Sequence, residues 1–235
     1  MSARGIFITG TDTGVGKTVV ACALVRALRA MDARVAVMKP VASGSKRTPE
    51  GLRNEDALAL MEAAGTPADS TAYAEINPYC FEPPVSPHIA AKEAGIEVDT
   101  NLIRQRYDAL AARSDWVIVE GAGGWFAPIN AHQTMADLAW ALSIPALMVV
   151  GLRLGCLNHA QLTRLGVESQ GVTLLGWIAN GIDPQMDRSP ENLAALERLL
   201  GEPPLAVIAH SADGASGVTL TEVAARLASQ RTISF

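Results

Sequence analysis

The chain has 235 residues, of which 49% are hydrophobic and 18% are charged, and its formal net charge is −5. This length suits one domain with a sizeable core, and the acidic balance excludes the basic surface of a general nucleic-acid-binding protein. The apolar runs are too short to span a bilayer. Three scattered cysteines, Cys22, Cys80 and Cys156, form neither a CxxC pair nor a zinc motif, which predicts a reducing, cytoplasmic setting.

Apolar runs alternate with stretches of helical periodicity along the chain. The predicted strands are 5–9, 34–38, 116–120, 146–150, 174–179 and 205–209. The predicted helices are 17–31, 54–64, 88–94, 102–113, 134–142, 157–168, 190–200 and 220–228. Short apolar strands separated by helices are typical of parallel βα units. The pattern therefore predicts a three-layer α/β fold with a mainly parallel central sheet flanked by helices.

One segment, at about 44–115, interrupts this alternation. It contains helical patterns and a proline-rich stretch at 77–87, and no convincing strand lies between the second predicted strand and Trp116. A long excursion from a parallel sheet commonly covers the carboxyl ends of the strands, where ligands bind; an inserted helical hairpin that only packs is the alternative. Because the sequence has no repeat and no linker, we expect residues 1–235 to form a single domain with this excursion over the active site.

The strongest motif is Gly10-Thr-Asp-Thr-Gly-Val-Gly-Lys-Thr18, which lies between a predicted strand and a predicted helix. Such a loop wraps a polyphosphate with backbone N–H groups and the positive end of the helix, so Lys17 is assigned to the β- and γ-phosphates and Thr18 to Mg²⁺. The first glycine, Gly10, lies one residue earlier than in GxxxxGK[ST]. This spacing is similar to the deviant P-loops of septum-site and partition ATPases. Those carry a second lysine where this chain has Asp12, which disfavours a nucleotide switch of that type.

Two further predicted strands end in charged residues suited to the same crevice. Lys39 follows the second strand, and a second ammonium group there would offset charge on a transferring phosphoryl group. Glu120 ends the strand at 116–120, where a carboxylate can hold Mg²⁺ directly or through water. Asp56 lies in the first turn of a predicted helix, and its spacing alone indicates an ordinary acid favoured by the helix dipole.

Together these segments resemble the ATP-dependent dethiobiotin synthetases. The matching segments are the phosphate loop, Lys39-Pro-Val-Ala-Ser-Gly44, Thr48-Pro-Glu-Gly-Leu-Arg-Asn54 with Asp56, Asn77-Pro-Tyr, Ser86-Pro-His-Ile-Ala90, Asp115-Trp through Val119-Glu-Gly-Ala-Gly-Gly-Trp-Phe126, and Gly155-Cys-Leu-Asn-His-Ala160. The resemblance implies an ATP- and Mg²⁺-dependent ligase that converts 7,8-diaminononanoate and CO₂ into dethiobiotin. The family's route is a carbamate, then a carbamic–phosphoric anhydride, with release of ADP and phosphate. A related ATP-dependent amidoligase and a partition-type nucleotide switch are the alternatives.

The resemblance also implies the roles of individual residues. Catalytic roles fall to Thr13, Lys17 and Lys39, and metal ligation to Thr18, Asp56 and Glu120. The implied nucleotide-binding residues are Thr13, Gly14, Val15, Gly16, Lys17, Thr18, Val19, Asp56, Glu120, Gly121, Ala122, Gly123, Asn180 and Gly181. The implied substrate-binding residues are Ser43, Gly155, Cys156, Leu157 and Asn158, the last four meeting the substrate carboxylate across a homodimer interface. Neither nucleic acid nor a membrane is an expected partner.

The chain departs from the family pattern at three places. Gly14 stands where the family member compared has glutamate, and Gly181 where aspartate is expected. Ala209-His-Ser211 replaces an expected Pro-Trp-Leu. Because two of these departures fall near the implied adenine site, the resemblance does not extend to selectivity for ATP over other triphosphates.

Overall fold

The computed structural model describes residues 3–210 and 218–229. In chain order its strands are β1 (Arg4–Gly10), β2 (Val35–Met38), β3 (Val41–Ala42), β4 (Lys46–Thr48), β5 (Gly51–Arg53), β6 (Tyr79–Cys80), β7 (Trp116–Glu120), β8 (Ala146–Leu152), β9 (Leu174–Gly181) and β10 (Ala206–Ile208). Its helices are α1 (Lys17–Arg29), α2 (Glu55–Ala64), α3 (Ser70–Ile76), α4 (Pro87–Glu93), α5 (Thr100–Ala111), α6 (Met135–Leu142), α7 (Cys156–Ser169), α8 (Ser189–Leu200) and α9 (Thr221–Ser229).

Six strands form one parallel sheet in the order β10-β9-β8-β1-β7-β2. These are the six predicted strands, and their ends lie within two residues of the predicted ends. The strand order reverses on either side of β1, whose neighbours are β7 and β8. In an open parallel sheet this reversal creates a crevice at the carboxyl ends of the strands.

The side chains of the sheet alternate between two apolar cores. Ile6 and Ile8 of β1 lie in the core that includes α1, α2 and α9. Phe7 points to the opposite face, where it shares a core with α5 and α6. A third cluster, on α7, α8 and the strands β8 and β9, extends that second layer around Trp177. Successive strand residues face opposite sides, so this alternation confirms the predicted three-layer α/β fold.

The expectation that no strand lies between the second predicted strand and Trp116 is wrong. The two-residue strands β3 and β6 pair in parallel, and β4 and β5 form an antiparallel hairpin. Helix α3 was not predicted either. Strands of two or three residues are too short to express a period-two pattern, and they form here because turns and tertiary contacts bring them together. Gly51 supports the hairpin with a left-handed φ of 108°.

The helices of the described part of the chain are short relative to the thickness of a bilayer. None of them combines the length and the apolar character that crossing a membrane requires.

Candidate active site

The phosphate loop connects the end of β1 at Gly10 to the start of α1 at Lys17. Gly14 and Gly16 have φ values of 73° and 88°, a left-handed conformation that favours glycine. The Lys17 ammonium bends back to donate a hydrogen bond to the Asp12 carbonyl at 3.0 Å. The N–H groups at the start of α1, which have no helical acceptors, and the helix dipole make this loop suited to an anion.

Burial perturbs the ionisation of Lys17. Loss of solvent, followed by repulsion from the Lys39 ammonium, lowers the pKa of Lys17 to about 8, although Glu120, Asp56 and Asp12 act in the opposite direction. A lysine this close to losing its proton gains from an added negative charge. The loop therefore favours an added anion beside the Lys17 ammonium.

Lys39 lies immediately after β2 and forms ion pairs with two carboxylates. Its Nζ is 2.6 Å from Oε1 of Glu120, the last residue of β7, and 3.0 Å from Oδ2 of Asp56 in α2. The Thr18 hydroxyl donates to the same Glu120 oxygen at 2.8 Å. Strands β2 and β7 and helices α1 and α2 therefore bring one ammonium, two carboxylates and one hydroxyl together beside the phosphate loop.

The ionisation of this cluster follows from its charges. Burial alone would lower the pKa of Lys39, but Glu120 and Asp56 raise it above its usual value. Burial alone would raise the pKa of Asp56, but the Lys39 ammonium and the Thr18 hydroxyl lower it. The cluster is therefore charged at neutral pH, with Lys39 as the cation and Asp56 as an anion.

The oxygen atoms of this cluster fit a Mg²⁺ ion. Among the described residues, Oε2 of Glu120 is buried without a hydrogen-bond partner, in a side chain that is only 1% exposed. Mg²⁺ prefers hard oxygen ligands and usually takes one or two carboxylates, the rest of its shell coming from phosphates and water. Within residues 3–210 and 218–229 no three His, Cys, Asp or Glu side chains group as a metal site. The carboxylates of Asp56 and Glu120 and the Thr18 hydroxyl would supply the protein ligands of such an ion, and phosphates and water would supply the others.

A cleft of about 360 Å³ contains most of the sequence-predicted site residues. Its lining residues are Thr13, Gly14, Gly16, Lys17, Thr18, Val19, Lys39, Ala42, Ser43, Asn54, Asp56, Glu120, Ala122 and Gly123. Two other predicted residues, Gly121 and Val15, form backbone contacts with Lys39 of this set and with the predicted residue Asn180, respectively. The Gly121 carbonyl lies 3.4 Å from the Lys39 Nζ, and the carbonyl of the buried Val15 accepts a hydrogen bond from Asn180 at 2.9 Å.

A second cleft, of about 280 Å³, adjoins the first along the phosphate loop. The two share Gly14, Gly16 and Val19, and the remaining lining residues of the second are Asn180, Gly181, Ile182, Ile208, Ala209, His210 and Val218. The predicted residues Asn180 and Gly181 therefore lie beside the loop. The departures at 209 and 210 line the same cleft, whereas Ser211 lies outside the described residues.

The predicted substrate segment Gly155–Asn158 lines neither cleft. It forms the start of α7, with a φ of 96° at Gly155. The Cys156 side chain is buried, and its N–H donates to the Arg153 carbonyl at 3.0 Å. The rest of the first turn of α7 has N–H groups without helical acceptors, which suits an anion.

Arg153 and Asn54 belong to the site region, although neither is among the site residues predicted from the sequence. The Arg153 guanidinium forms an ion pair with the Asp12 carboxylate, so it connects the phosphate loop to the segment before α7. Asn54 caps α2 and donates to the Ser43 carbonyl at 3.4 Å. A separation of 141 residues between Arg153 and Asp12 leaves no spacing signal. For Asn54, the only available signal was its N-cap position before the helix.

Solved structures with a similar fold support this description of the architecture. The chain is similar to MinD in the MinC:MinD cell division protein complex of Aquifex aeolicus, with a TM-score of 0.63, 17% identity and 99% coverage of both chains. It is also similar to a ParA family ATPase from Chlorobium tepidum, with a TM-score of 0.58, 16% identity, and coverage of 96% of this chain and 98% of that chain. At such low identity these similarities concern the fold alone.

The parallel sheet and the loop between β1 and α1 define a P-loop protein of the α/β class. A family model described as an AAA domain matches residues 4–214. The ATP-dependent dethiobiotin synthetase BioD of Xanthomonas oryzae pv. oryzae is 48% identical over 203 residues, covering 86% of this chain and 89% of that protein. BioD 1 of Escherichia coli K12 is 46% identical, with 86% and 88% coverage. The chain belongs to the family of ATP-dependent dethiobiotin synthetases.

Proposed function

We propose that this protein is an ATP-dependent ligase of biotin synthesis that converts 7,8-diaminononanoate and CO₂ into dethiobiotin, with release of ADP and phosphate. The observation that carries the proposal is the cluster of Lys39, Glu120 and Asp56 beside the phosphate loop. A P-loop alone would support any use of nucleotide, whereas a second buried ammonium suits a second anion that must approach ATP. We propose that residues 1–235 act as one domain, with residues 44–115 covering the site.

The reaction requires two anions to meet. One amine of the substrate adds to CO₂ and forms a carbamate, whose oxygen attacks the γ-phosphorus while the bond from that phosphorus to the ADP oxygen breaks. The second amine then attacks the carbamate carbon and closes the five-membered ring, and phosphate leaves with the oxygen that joined it to that carbon. Cations that gather both anions lower the barrier through positioning and charge stabilisation.

Individual residues suit these tasks. Lys17 would bind the β- and γ-phosphates once it leaves the Asp12 carbonyl. Lys39 would bind the carbamate, and Thr13 and Ser43, which line the same cleft, would hydrogen-bond to the amine or carbamate. The N–H groups of residues 14–19 would contact the phosphates, as would those of residues 121–123.

Thr18, Asp56 and Glu120 would hold Mg²⁺, and the ion would neutralise phosphate charge when bound. The unpartnered Glu120 oxygen supports this assignment. Asn180 and Gly181 would contact the adenine ring, because they line the cleft that continues from the phosphate loop. Ala209 and His210 line that cleft as well, so they take part in whatever base selectivity the protein has.

A homodimer is part of the proposal. Leu154 is 92% exposed, and Leu162 and Leu165 on α7 are 58% and 60% exposed. Asn158, Leu162 and Leu165 follow helical spacing along one side of α7, and Leu154 lies two residues before the helix; we name these four residues the α7 face. This apolar face is continuous with the segment Gly155–Asn158, proposed to bind the substrate carboxylate. A second copy of the chain would therefore cover the face and complete the substrate site. The cytoplasmic setting, inferred from the cysteine pattern, is also proposed.

A coupled assay tests the proposed reaction. The purified chain is incubated with 7,8-diaminononanoate, bicarbonate and MgATP, and both ADP and dethiobiotin are measured. We expect ADP release to depend on the diamine and to match dethiobiotin formation mole for mole. A nonanoate with only one of the two amines is the matched control, because it cannot close the ring. ADP release that is independent of the diamine would contradict the proposal.

A further inference from the structure

A buried set of hydrogen bonds lies directly behind Lys39. Its members are Tyr73 of α3, Asn77 just after α3 and Asn54 before α2, with exposures of 3%, 3% and 6%. None of these residues contributes a charge to the site. They nevertheless connect the backbone of Lys39 to the backbone of the helix that carries Asp56.

The first arm of this set holds Lys39. Strand β2 is at the edge of the sheet, and its pairing with β7 ends at Met38. Beyond that point the Lys39 N–H donates to the Ile76 carbonyl at 2.9 Å. The Lys39 carbonyl accepts a hydrogen bond from Nδ2 of Asn77 at 2.6 Å. The end of α3 thus takes the place of a neighbouring strand for this residue.

The second arm holds α2. The Tyr73 hydroxyl donates to Oδ1 of Asn77 at 2.9 Å and accepts the Asn54 backbone N–H at 2.7 Å. The Asn54 side chain then accepts the Asp56 N–H at 3.1 Å, and it donates to the Ser43 carbonyl at 3.4 Å. One phenol oxygen therefore lies at the junction between the Lys39 backbone and the first turn of α2.

We propose that the Tyr73 hydroxyl is a positioning group that fixes Lys39 relative to Asp56. The inference rests on the proposed function, because it acts through the role given to Lys39. The Nζ of Lys39 lies 3.0 Å from the Asp56 carboxylate, and the backbones behind both side chains converge on this hydroxyl. A misplacement of about 1 Å at a reacting group can cost about 100-fold in rate, so we expect the loss of this hydroxyl to lower turnover by displacing Lys39.

The substitution Tyr73→Phe tests this inference, with Tyr107→Phe as the matched control. Tyr107 is 5% exposed, and its hydroxyl lies beside Gly5 at the start of β1, away from the carboxyl ends of the strands. Both variants lose one buried hydroxyl. We expect Tyr73→Phe to lower kcat for diamine-dependent ADP release by about 10- to 100-fold, with the KM for ATP changed less than about threefold. Tyr107→Phe should retain kcat within about twofold.

Combining Tyr73→Phe with Lys39→Ala distinguishes a positioning role of Tyr73 from a general loss of structure. If Tyr73 acts through Lys39, adding Tyr73→Phe to Lys39→Ala should lower the residual turnover by less than about twofold. The proposal would be overturned if Tyr73→Phe lowered the turnover of Lys39→Ala by the same factor as that of the wild type. Equal kcat values for Tyr73→Phe and Tyr107→Phe would also overturn it. Wild-type turnover of Lys39→Ala would instead overturn the proposed function of Lys39, so the two failures are distinguishable.

A second variant covers the case in which Tyr73→Phe does not fold. Asn77→Asp keeps an acceptor for the Tyr73 hydroxyl but replaces the amide that donates to the Lys39 carbonyl. We expect the same fall in kcat with nucleotide binding intact, measured by calorimetry with a non-hydrolysable ATP analogue. A wild-type kcat for Asn77→Asp would overturn the proposal.

Discussion

Lys39 and Glu120 form an ion pair in which both side chains are buried, with Nζ 2.6 Å from Oε1 and exposures of 4% and 1%. Removing one partner of such a pair leaves a buried charge without compensation, which is more costly than removing both. The pair therefore links the chemistry proposed for Lys39 to the stability of the fold. The effects on activity and on stability can be separated by comparing a variant of Lys39 alone with a variant in which both residues are changed.

Lys39→Ala should lower diamine-dependent turnover to a small residual rate while ATP still binds, because the backbone N–H groups of the phosphate loop and Lys17 still bind the phosphates. Steady-state ADP release and calorimetry with a non-hydrolysable ATP analogue measure the two effects. Lys92→Ala is the matched control, since Lys92 is exposed on α4. Turnover of Lys39→Ala equal to that of Lys92→Ala would exclude the role proposed for Lys39.

The double variant Lys39→Ala/Glu120→Gln should be more stable than Lys39→Ala alone. Breaking a buried pair from one side costs about 3–5 kcal/mol, and the neutral amide introduced by Glu120→Gln removes the uncompensated charge. Thermal unfolding at pH 7 without Mg²⁺ measures the difference. For a domain of this size each kcal/mol corresponds to about 2–4 °C in Tm. A double variant with the same or a lower Tm would show that the lone Glu120 charge is not the source of the cost.

Gly16→Ala should abolish nucleotide binding, whereas Gly14→Ala should weaken it only mildly. Both glycines have positive φ, which costs an L-residue about 1–2 kcal/mol. A Cβ at Gly16 would also collide with the Asn180 amide, but one at Gly14 has no atom within 4 Å. Binding of a fluorescent ATP analogue to the two folded variants provides the comparison. Equal affinities would mean that the Asn180 contact does not constrain the loop.

Leu162→Glu/Leu165→Glu should convert a constitutive dimer into a monomer, because two charges would enter the proposed interface on the α7 face. Light scattering with and without MgATP measures the mass. Leu199→Glu on α8 is the control, since Leu199 is also exposed, at 44%. A wild-type chain that is monomeric without ATP and dimeric with it would instead support a nucleotide switch, despite the ion pair of Asp12 with Arg153.

Cys22 should react very slowly with a thiol reagent in the folded protein. Its side chain is 3% exposed, and burial, assisted by the nearby Glu120 charge, raises the pKa of the Cys22 thiol to about 11. At pH 8 only about one thiol in a thousand is the reactive thiolate, and that fraction rises as the pH approaches 11. Labelling by DTNB should show Cys22 in the slow phase, identified by its loss in Cys22→Ala. Rapid labelling of Cys22 at pH 8 would contradict this environment.

The central sheet could be predicted because each of its strands is a largely apolar run, separated from the next by a helical pattern. The phosphate loop could be predicted for a similar reason, since Lys17 and Thr18 are close in sequence to the glycines that support them. Local patterns of this kind remain visible without tertiary information.

The remaining parts of the site depend on contacts between distant residues. Asp56 has the sequence pattern of an ordinary first-turn acid, and only the family resemblance suggested a role before its contact with Lys39 was known. Tyr73 and Asn77 are polar residues whose positions behind Lys39 follow from the packing of α3 against the edge of β2. The strands β3 to β6 are too short to leave a pattern, so the excursion was predicted without them.

The central position of β1 has a consequence for how the chain folds. Arg4 pairs with Trp116, and Phe7 pairs with Ala146, so both neighbours of β1 are synthesised long after β1 itself. Contacts of such high sequence separation form slowly, because a long loop must close before they stabilise the chain. During translation Ile6, Phe7 and Ile8 therefore have no sheet partner until β7 has left the ribosome, and Phe7 and Ile8 lack their second partner until β8 follows. The phosphate loop, which follows β1, is thus synthesised first but supported by a complete sheet only late. Nascent chains that end before β8 should not bind ATP.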